Sequence, residues 1–498
     1  MKRRAGVLLN VSSLPGRYGI GGFSEDAERF LEEIGGMGFK VWQTLPITAT
    51  GAGDSPYSGI SSFAGNYVYI DPERMEGLLT EEEIAAARYP GDIYLTDYAF
   101  VRNSKKEMLR KAYARLGDEK RTEIEKFRVD QAYWIDDYAA FMVLKEKFGD
   151  GSWAEWPEKY KAYSAELKEE ILAENAHEAG FYFFEQFMFF RQWKKIHDCA
   201  KNYGIEIFGD LPIYVSFDSV DVWAHADIFL MGKDHKPKLV AGVPPDYFAK
   251  DGQLWGNPLY DYKKMAKDGY SWWVERLKHA FSLYDILRID HFRGLYEFWG
   301  VPAEAETAKE GKWYKGPHDA IFKELKKVLP EHEIVAEDLG LIDEKVAEFL
   351  VKCGYPGMKV MQFGFDGDVN NPHLPHNYVK NCVAYTGTHD NDTTLGWLLS
   401  LDNATRQAAL DYVDCDSDYG WASGGGYCRA TKAFMRSVIA SCADLAIIPM
   451  QDLCGYGSDT RMNTPGVAEG CWRYRTNYTA INNIDRNFLR KIIRIYGR

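Results

Sequence analysis

Short apolar runs bounded by turn formers recur along the whole chain: GVLLNVS, KVWQTLPI, IEIFGDLP, ILRIDHF, EIVAEDLG, MKVMQFGF, CVAYTGTHD and LAIIPMQDL. Near-continuous apolar runs, in place of strict alternation, mark strands buried on both faces, as in parallel sheets. Amphipathic helical stretches with legible ends lie between several of them. Ser24 is placed to cap a helix with Glu25 and Asp26 in its first turn, Phe30, Leu31 and Ile34 on its inner face, and a stop at Gly35 and Gly36. Asp343 opens another, with Val346, Phe349 and Leu350 inward and Gly354 and Pro356 at its end. Eight strands alternating with helices close most simply as an α/β fold of the (β/α)8 TIM barrel class.

Two intervals are too long for simple connections. Residues 72–200 are rich in helix formers and charge, which predicts a helical insertion subdomain over the barrel mouth. Residues 213–268 are rich in Pro, Gly and Tyr, which predicts a loop-rich insertion of the kind that carries binding. No linker or repeat divides the chain, so 1–498 reads as a single elaborated barrel.

Composition narrows the partners. With 46% hydrophobic and 27% charged residues the chain can bury a large core. A formal charge of −13 disfavours nucleic acid and anionic membrane surfaces. No run approaches the roughly 20 apolar residues of a membrane helix. The opening MKRRAGVLLNVSSLPG imitates a signal peptide, but its apolar run is broken by Asn10, so it reads as a first strand. Eight cysteines without a CxxC pair predict reduced thiols and a cytoplasmic location. The 14 Trp and 32 Tyr serve equally a large core or flat faces for sugar rings.

Reactive side chains of such barrels sit at the carboxyl ends of strands. Four acidic residues end apolar runs: Asp210, Asp290, Glu337 and Asp390. Arg288 shares the strand face of Asp290, because side chains alternate, and a guanidinium there favours the ionised form that a carboxylate nucleophile needs. Glu337 follows a more apolar run, where burial favours the protonated form of a proton donor. One ionised and one protonated carboxyl make a glycosidase pair. Asp290 with His291, and Asp390 with His389, raise the question of a metal. Adjacent strand residues diverge, however, and the chain has no HxH or HExxH pattern, so no metal or cofactor is expected. No GxSxG elbow, Walker loop or GxGxxG follows a strand.

RIDHFRG, AEDLG and GTHDND together resemble the three core motifs of the 4-α-glucanotransferases, the amylomaltase or disproportionating-enzyme family related to the α-amylases. The likeness continues through LLNVSSLPGRYGIG, GDSPYS, GDLPIYV, VAGVPPDYFAKDGQLWGNPLYDY and RMNTPGVAEGCWRYR. It implies Asp290 as nucleophile, Glu337 as acid/base and Asp390 as transition-state stabiliser. Tyr57, Asp210, Arg288, His291 and His389 are implied as substrate-binding residues around them. Asp246, Gln253, Trp255 and Asn257 match a loop arching over bound glucan. Cys471 stands where the family pattern has Asn, and 402–428 matches nothing assignable.

The resemblance implies transfer of α-1,4-glucan segments between maltooligosaccharides, with glucose as acceptor or product, by a retaining double displacement. An α-glucan hydrolase using the same carboxylates and a non-catalytic glucan-binding protein are the rival readings.

Overall fold

The computed structural model describes residues 2–498 except 52, 150, 246–249, 341, 419 and 468. All eight apolar runs form strands: β1 (Arg4–Leu8), β2 (Val41–Gln43), β3 (Glu206–Leu211), β6 (Ile286–Ile289), β9 (Glu333–Ala336), β10 (Gly357–Val360), β11 (Cys382–Tyr385) and β12 (Leu445–Pro449). They make one parallel sheet in the order β10-β11-β12-β1-β2-β3-β6-β9. The Ala336 amide donates to the Pro356 carbonyl at 2.9 Å, bringing β9 beside β10 and drawing the sheet into a barrel. Every residue of β1, β2, β6, β11 and β12 is buried, which is why these strands read as continuous apolar runs.

Arg4 begins β1 with its side chain only 7% exposed, and it pairs with Glu206 at the start of β3 and with Glu333 Oε2, 2.7 Å away, at the start of β9. This ion cluster closes the amino-terminal end of the barrel, opposite the end where catalytic groups gather.

The two helices with legible caps form as the chain pattern requires. In Glu25–Met37 the Ser24 hydroxyl accepts from the Asp26 amide, and Phe30, Leu31 and Ile34 are fully buried. This helix runs through Gly35 and Gly36 and stops at Gly38, whose φ of 99° provides the left-handed cap. In Glu344–Cys353 the Asp343 carboxylate accepts from the Val346 amide at 3.0 Å and Gly354 terminates at φ 74°.

Residues 72–200 hold helices Glu81–Ala86, Tyr98–Ala114, Asp118–Asp130, Ile135–Phe148, Ala165–Glu174 and the 27-residue Ala176–Asn202 that returns the chain to β3. The interval 213–268 departs from its reading as loops. It contains β4 (Leu239–Val243) and β5 (Gln253–Pro258), which join β7 (Glu297–Pro302) and β8 (Lys312–Lys315) in an antiparallel sheet ordered β5-β4-β7-β8. Four of the six β5 residues are exposed, so main-chain pairing forms this strand without an apolar signature.

Candidate active site

The carboxyl ends of β3, β6 and β9 bring three acidic residues together. Asp210 and Arg288 are register partners, and Asp290 and Glu337 each stand one residue beyond the paired Ile289 and Ala336. Arg288 Nη1 donates to both carboxylate oxygens of Asp210 at 2.7 and 2.6 Å, while Nη2 donates to Asp290 Oδ1 at 2.7 Å. One buried guanidinium therefore bridges two aspartates from adjacent strands. Burial alone would lower the Arg288 pKa, but Asp210 and Asp290 hold it well above the usual arginine value. The Asp290 side chain is 31% exposed, whereas that of Asp210 has no exposed surface. Asp290 can meet a substrate. Asp210 and Arg288, expected from the sequence among the substrate-binding residues, hydrogen-bond each other and their neighbours Tyr57 and Asp290.

Glu337 is held by main-chain donors: the His291 amide reaches Oε2 at 2.7 Å and the Leu339 amide reaches Oε1 at 2.6 Å. His291 itself adopts a left-handed conformation, φ 50°. Burial, reinforced by Asp290 and opposed by Arg288 and the two amides, raises the Glu337 pKa to about 8. It is therefore a protonated donor at neutral pH, beside a carboxylate ion-paired to Arg288.

Asp390 lies five residues beyond β11 in a turn, not at a strand end. Released from strand geometry, the adjacent side chains converge: His389 Nε2 is 3.3 Å from Asp390 Oδ2. The expectation that they diverge fails here because 387–393 is a loop. Burial would raise the Asp390 pKa, but His389, a hydrogen bond from Asn463 and Arg288 hold it below the usual carboxylate range. The Tyr57 hydroxyl donates to Asp210 Oδ2 at 2.7 Å and lies 3.0 Å from His389 Nε2. Its ring stacks on His389 with centroids 5.4 Å apart. Trp472 tilts against both rings.

From β5, Trp255 meets the His291 ring edge to face at 4.9 Å, and its indole donates to Gln253 Oε1 at 3.1 Å. Burial lowers the His291 pKa to about 4, so this ring is neutral. The Asn257 amide is committed to the Val215 carbonyl at 2.9 Å. Asp246 lies outside the described residues.

Sequence reasoning missed Asn463, Trp472 and Asp452. Asn463 Nδ2 donates to Asp390 Oδ1 at 2.6 Å. Asp452 accepts from the Thr386 and Thr394 hydroxyls and the Thr394 amide, pinning both ends of the loop that carries Asp390. Asn463 carries no charge, and Asp452, at the end of the LAIIPMQDL run, lies outside the three core motifs. The only signal for Asn463 and Trp472 is their place in RMNTPGVAEGCWRYR. A cavity of about 800 Å³ opens beside them, lined by Asp54, Tyr98, Arg102, Asn463, Cys471 and Trp472 among others. Among the described residues no cluster of His, Cys, Asp and Glu could hold a metal ion, and no helix is long and apolar enough to cross a membrane.

A family model described as 4-alpha-glucanotransferase matches residues 9–480. A 4-alpha-glucanotransferase of Clostridium butyricum is 41% identical over 494 residues, covering 98% of this chain and 100% of the relative. One from Aquifex aeolicus is 42% identical over 505 residues, covering 100% and 99%. An amylomaltase from Streptococcus agalactiae, solved in complex with acarbose, superposes with a TM-score of 0.94 at 35% identity over the whole of both chains.

Proposed function

The chain belongs to the 4-alpha-glucanotransferase family and transfers glucan segments, and we propose that it does so by a retaining double displacement in which Asp290 is the nucleophile and Glu337 the acid/base. An Asp290 carboxylate oxygen attacks the anomeric carbon while Glu337 gives its proton to the departing glycosidic oxygen, leaving a glycosyl ester on Asp290. The Glu337 carboxylate then takes the proton of an acceptor 4-hydroxyl, and that oxygen displaces Asp290 with net retention. Asp390 and His389 bind ring hydroxyls as positive charge develops at the anomeric centre.

One observation carries the assignment: Arg288 ion-pairs the exposed Asp290 while, one strand over, burial keeps Glu337 protonated. Strands about 4.8 Å apart favour the separation of about 5 to 5.5 Å that distinguishes retaining from inverting pairs. Trp255 and Trp472 offer apolar faces to sugar rings, which favours an acceptor sugar over water in the second step.

The donors and acceptors are α-1,4-linked maltooligosaccharides, with glucose as the smallest acceptor or product. The chain works as one elaborated barrel, 1–498, with 72–200 and 213–268 as insertions around the cleft. Eight unpaired cysteines support a reducing, cytosolic setting.

Incubation with maltotriose is expected to give longer oligosaccharides together with glucose, and Asp290→Asn is expected to abolish both while the protein stays folded. A simple decline to glucose and maltose would assign hydrolysis instead.

A further inference from the structure

We infer that Asn463, in the segment after β12, is a positioning residue that fixes the orientation of the Asp390 carboxylate; this rests on the reading of Asp390 as the third functional carboxylate. Asn463 Nδ2 addresses Oδ1 at 2.6 Å while His389 Nε2 sits 3.3 Å from Oδ2, so the two carboxylate oxygens are held from opposite sides. The clamp is itself anchored. The Asn463 amide donates to the His389 carbonyl at 3.1 Å, Arg461 Nε donates to the Asn463 carbonyl at 2.7 Å, and Arg461 Nη2 donates to the Asp390 carbonyl at 2.7 Å. These contacts form a closed ring through 389, 390, 461 and 463, joining two loops distant in sequence.

A carboxylate 44% exposed to the cleft needs such a clamp. Its rotamer would otherwise be free to turn away from the sugar, and small misplacement of a positioned group is costly in rate. Asn is suited to the task because its amide donates without adding charge, whereas Asp at 463 would oppose Asp390 across 2.6 Å. The other charged and titratable groups facing Asp390 are His389 on its own loop, Arg288 of β6 and the Tyr57 hydroxyl; Arg461 reaches its main-chain oxygen.

The isosteric Asn463→Asp gives the sharpest test. At neutral pH two carboxylates meet and kcat falls; on acidification a proton shared by the pair restores a donor at 463. The ratio of variant to parent kcat on maltotriose is therefore expected to rise as pH falls. Asn463→Ala removes the donor without charge and is expected to lower kcat about ten- to a hundredfold, with KM changed less than about threefold and no recovery in acid. Asn463→Ser, which keeps a short donor, is expected to retain more kcat than Asn463→Ala. Thermal unfolding of each variant reports whether the fold survives.

Parental kcat in Asn463→Ala with only KM raised, or an Asn463→Asp pH profile parallel to the parent's, would overturn the inference. Asp390→Asn measured alongside separates the two readings. A fully active Asp390→Asn sinks the role of Asp390 itself. An inactive Asp390→Asn with parental kcat in the Asn463 variants sinks only the clamp.

Discussion

The main-chain amide of His291 donates to Oε2 of Glu337 at 2.7 Å, so the residue that follows Asp290 orients the Glu337 carboxyl. The backbone at His291 is left-handed, φ 50°. Displacing one carboxyl therefore displaces the other.

That backbone geometry gives an ordering opposite to the usual one. Gly adopts a left-handed conformation freely, whereas Ala there costs about 1 kcal/mol. Both substitutions remove the imidazole and its packing on Trp255. His291→Gly is therefore expected to be more stable than His291→Ala by about 1 kcal/mol in urea unfolding. Equal stability, or an advantage for Ala, would show that the left-handed turn is dispensable.

The Glu337 carboxyl sets two pH dependences. In the proposed mechanism glycosylation needs its proton, so kcat/KM is expected to fall as pH rises through about 8. Stability follows the same group. Its folded pKa is raised from 4.5 to about 8, so the folded state holds this proton more tightly than the unfolded chain does. The resulting contribution is lost as pH climbs across that interval. Glu337→Gln cannot ionise, and its stability relative to the parent should improve from pH 5 to pH 9 by at least about 1 kcal/mol. A constant difference across that range would contradict a buried, protonated Glu337.

The legible part of the fold was the part in which burial and sequence coincide. While β10 alternates buried with half-buried residues, seven of the eight barrel strands read as apolar runs because they are buried on both faces or nearly so. β5 did not, since QLWGNP is mostly exposed and is held by main-chain pairing to β4. At the site, Asp290 and Glu337 stood out as charges ending apolar runs, and Arg288 followed from strand alternation. Asn463 and Asp452 act across loops, and nothing local in sequence tells that Thr386 and Thr394 converge on one carboxylate. His389 and Asp390 misled for a related reason: strand periodicity was applied where the chain had already left the strand.

Asp452 is 1% exposed and accepts three hydrogen bonds, all from the two threonines that flank the loop carrying Asp390. Asp452→Ala leaves those donors without their partner, at a cost of about 3 kcal/mol or more. Stability and kcat should fall together, unlike the Asn463 variants, whose effect is on turnover. Retention of parental melting temperature by Asp452→Ala would remove this residue from the scaffold of the site.

At the opposite end of the barrel, Arg4→Met is expected to leave turnover unchanged. Glu206 and Glu333 are 42% and 38% exposed and can turn to water once Arg4 is gone. The cost in urea unfolding should therefore stay near 1 kcal/mol. A loss of kcat beyond about twofold at an unchanged fold would mean that the closed end of the barrel communicates with the carboxylates.

Trp255 is the side chain of β5 that reaches the centre, meeting the neutral His291 ring at 4.9 Å while remaining 38% exposed. Most of its surface packs against the protein, and the exposed part can be covered by a sugar. In the proposed mechanism an indole so placed would act twice, holding acceptor through apolar contact and keeping water from the glycosyl ester while acceptor arrives. Trp255→Ala removes both effects and leaves Asp290, Glu337 and Arg288 in place. Transfer from maltotriose is therefore expected to slow several-fold, mainly through a higher KM for acceptor, and the share of donor released by water to increase. Measuring glucose, maltose and longer products together resolves the two fluxes. If transfer falls while the hydrolytic share stays constant, water is excluded by other groups and Trp255 serves acceptor binding alone.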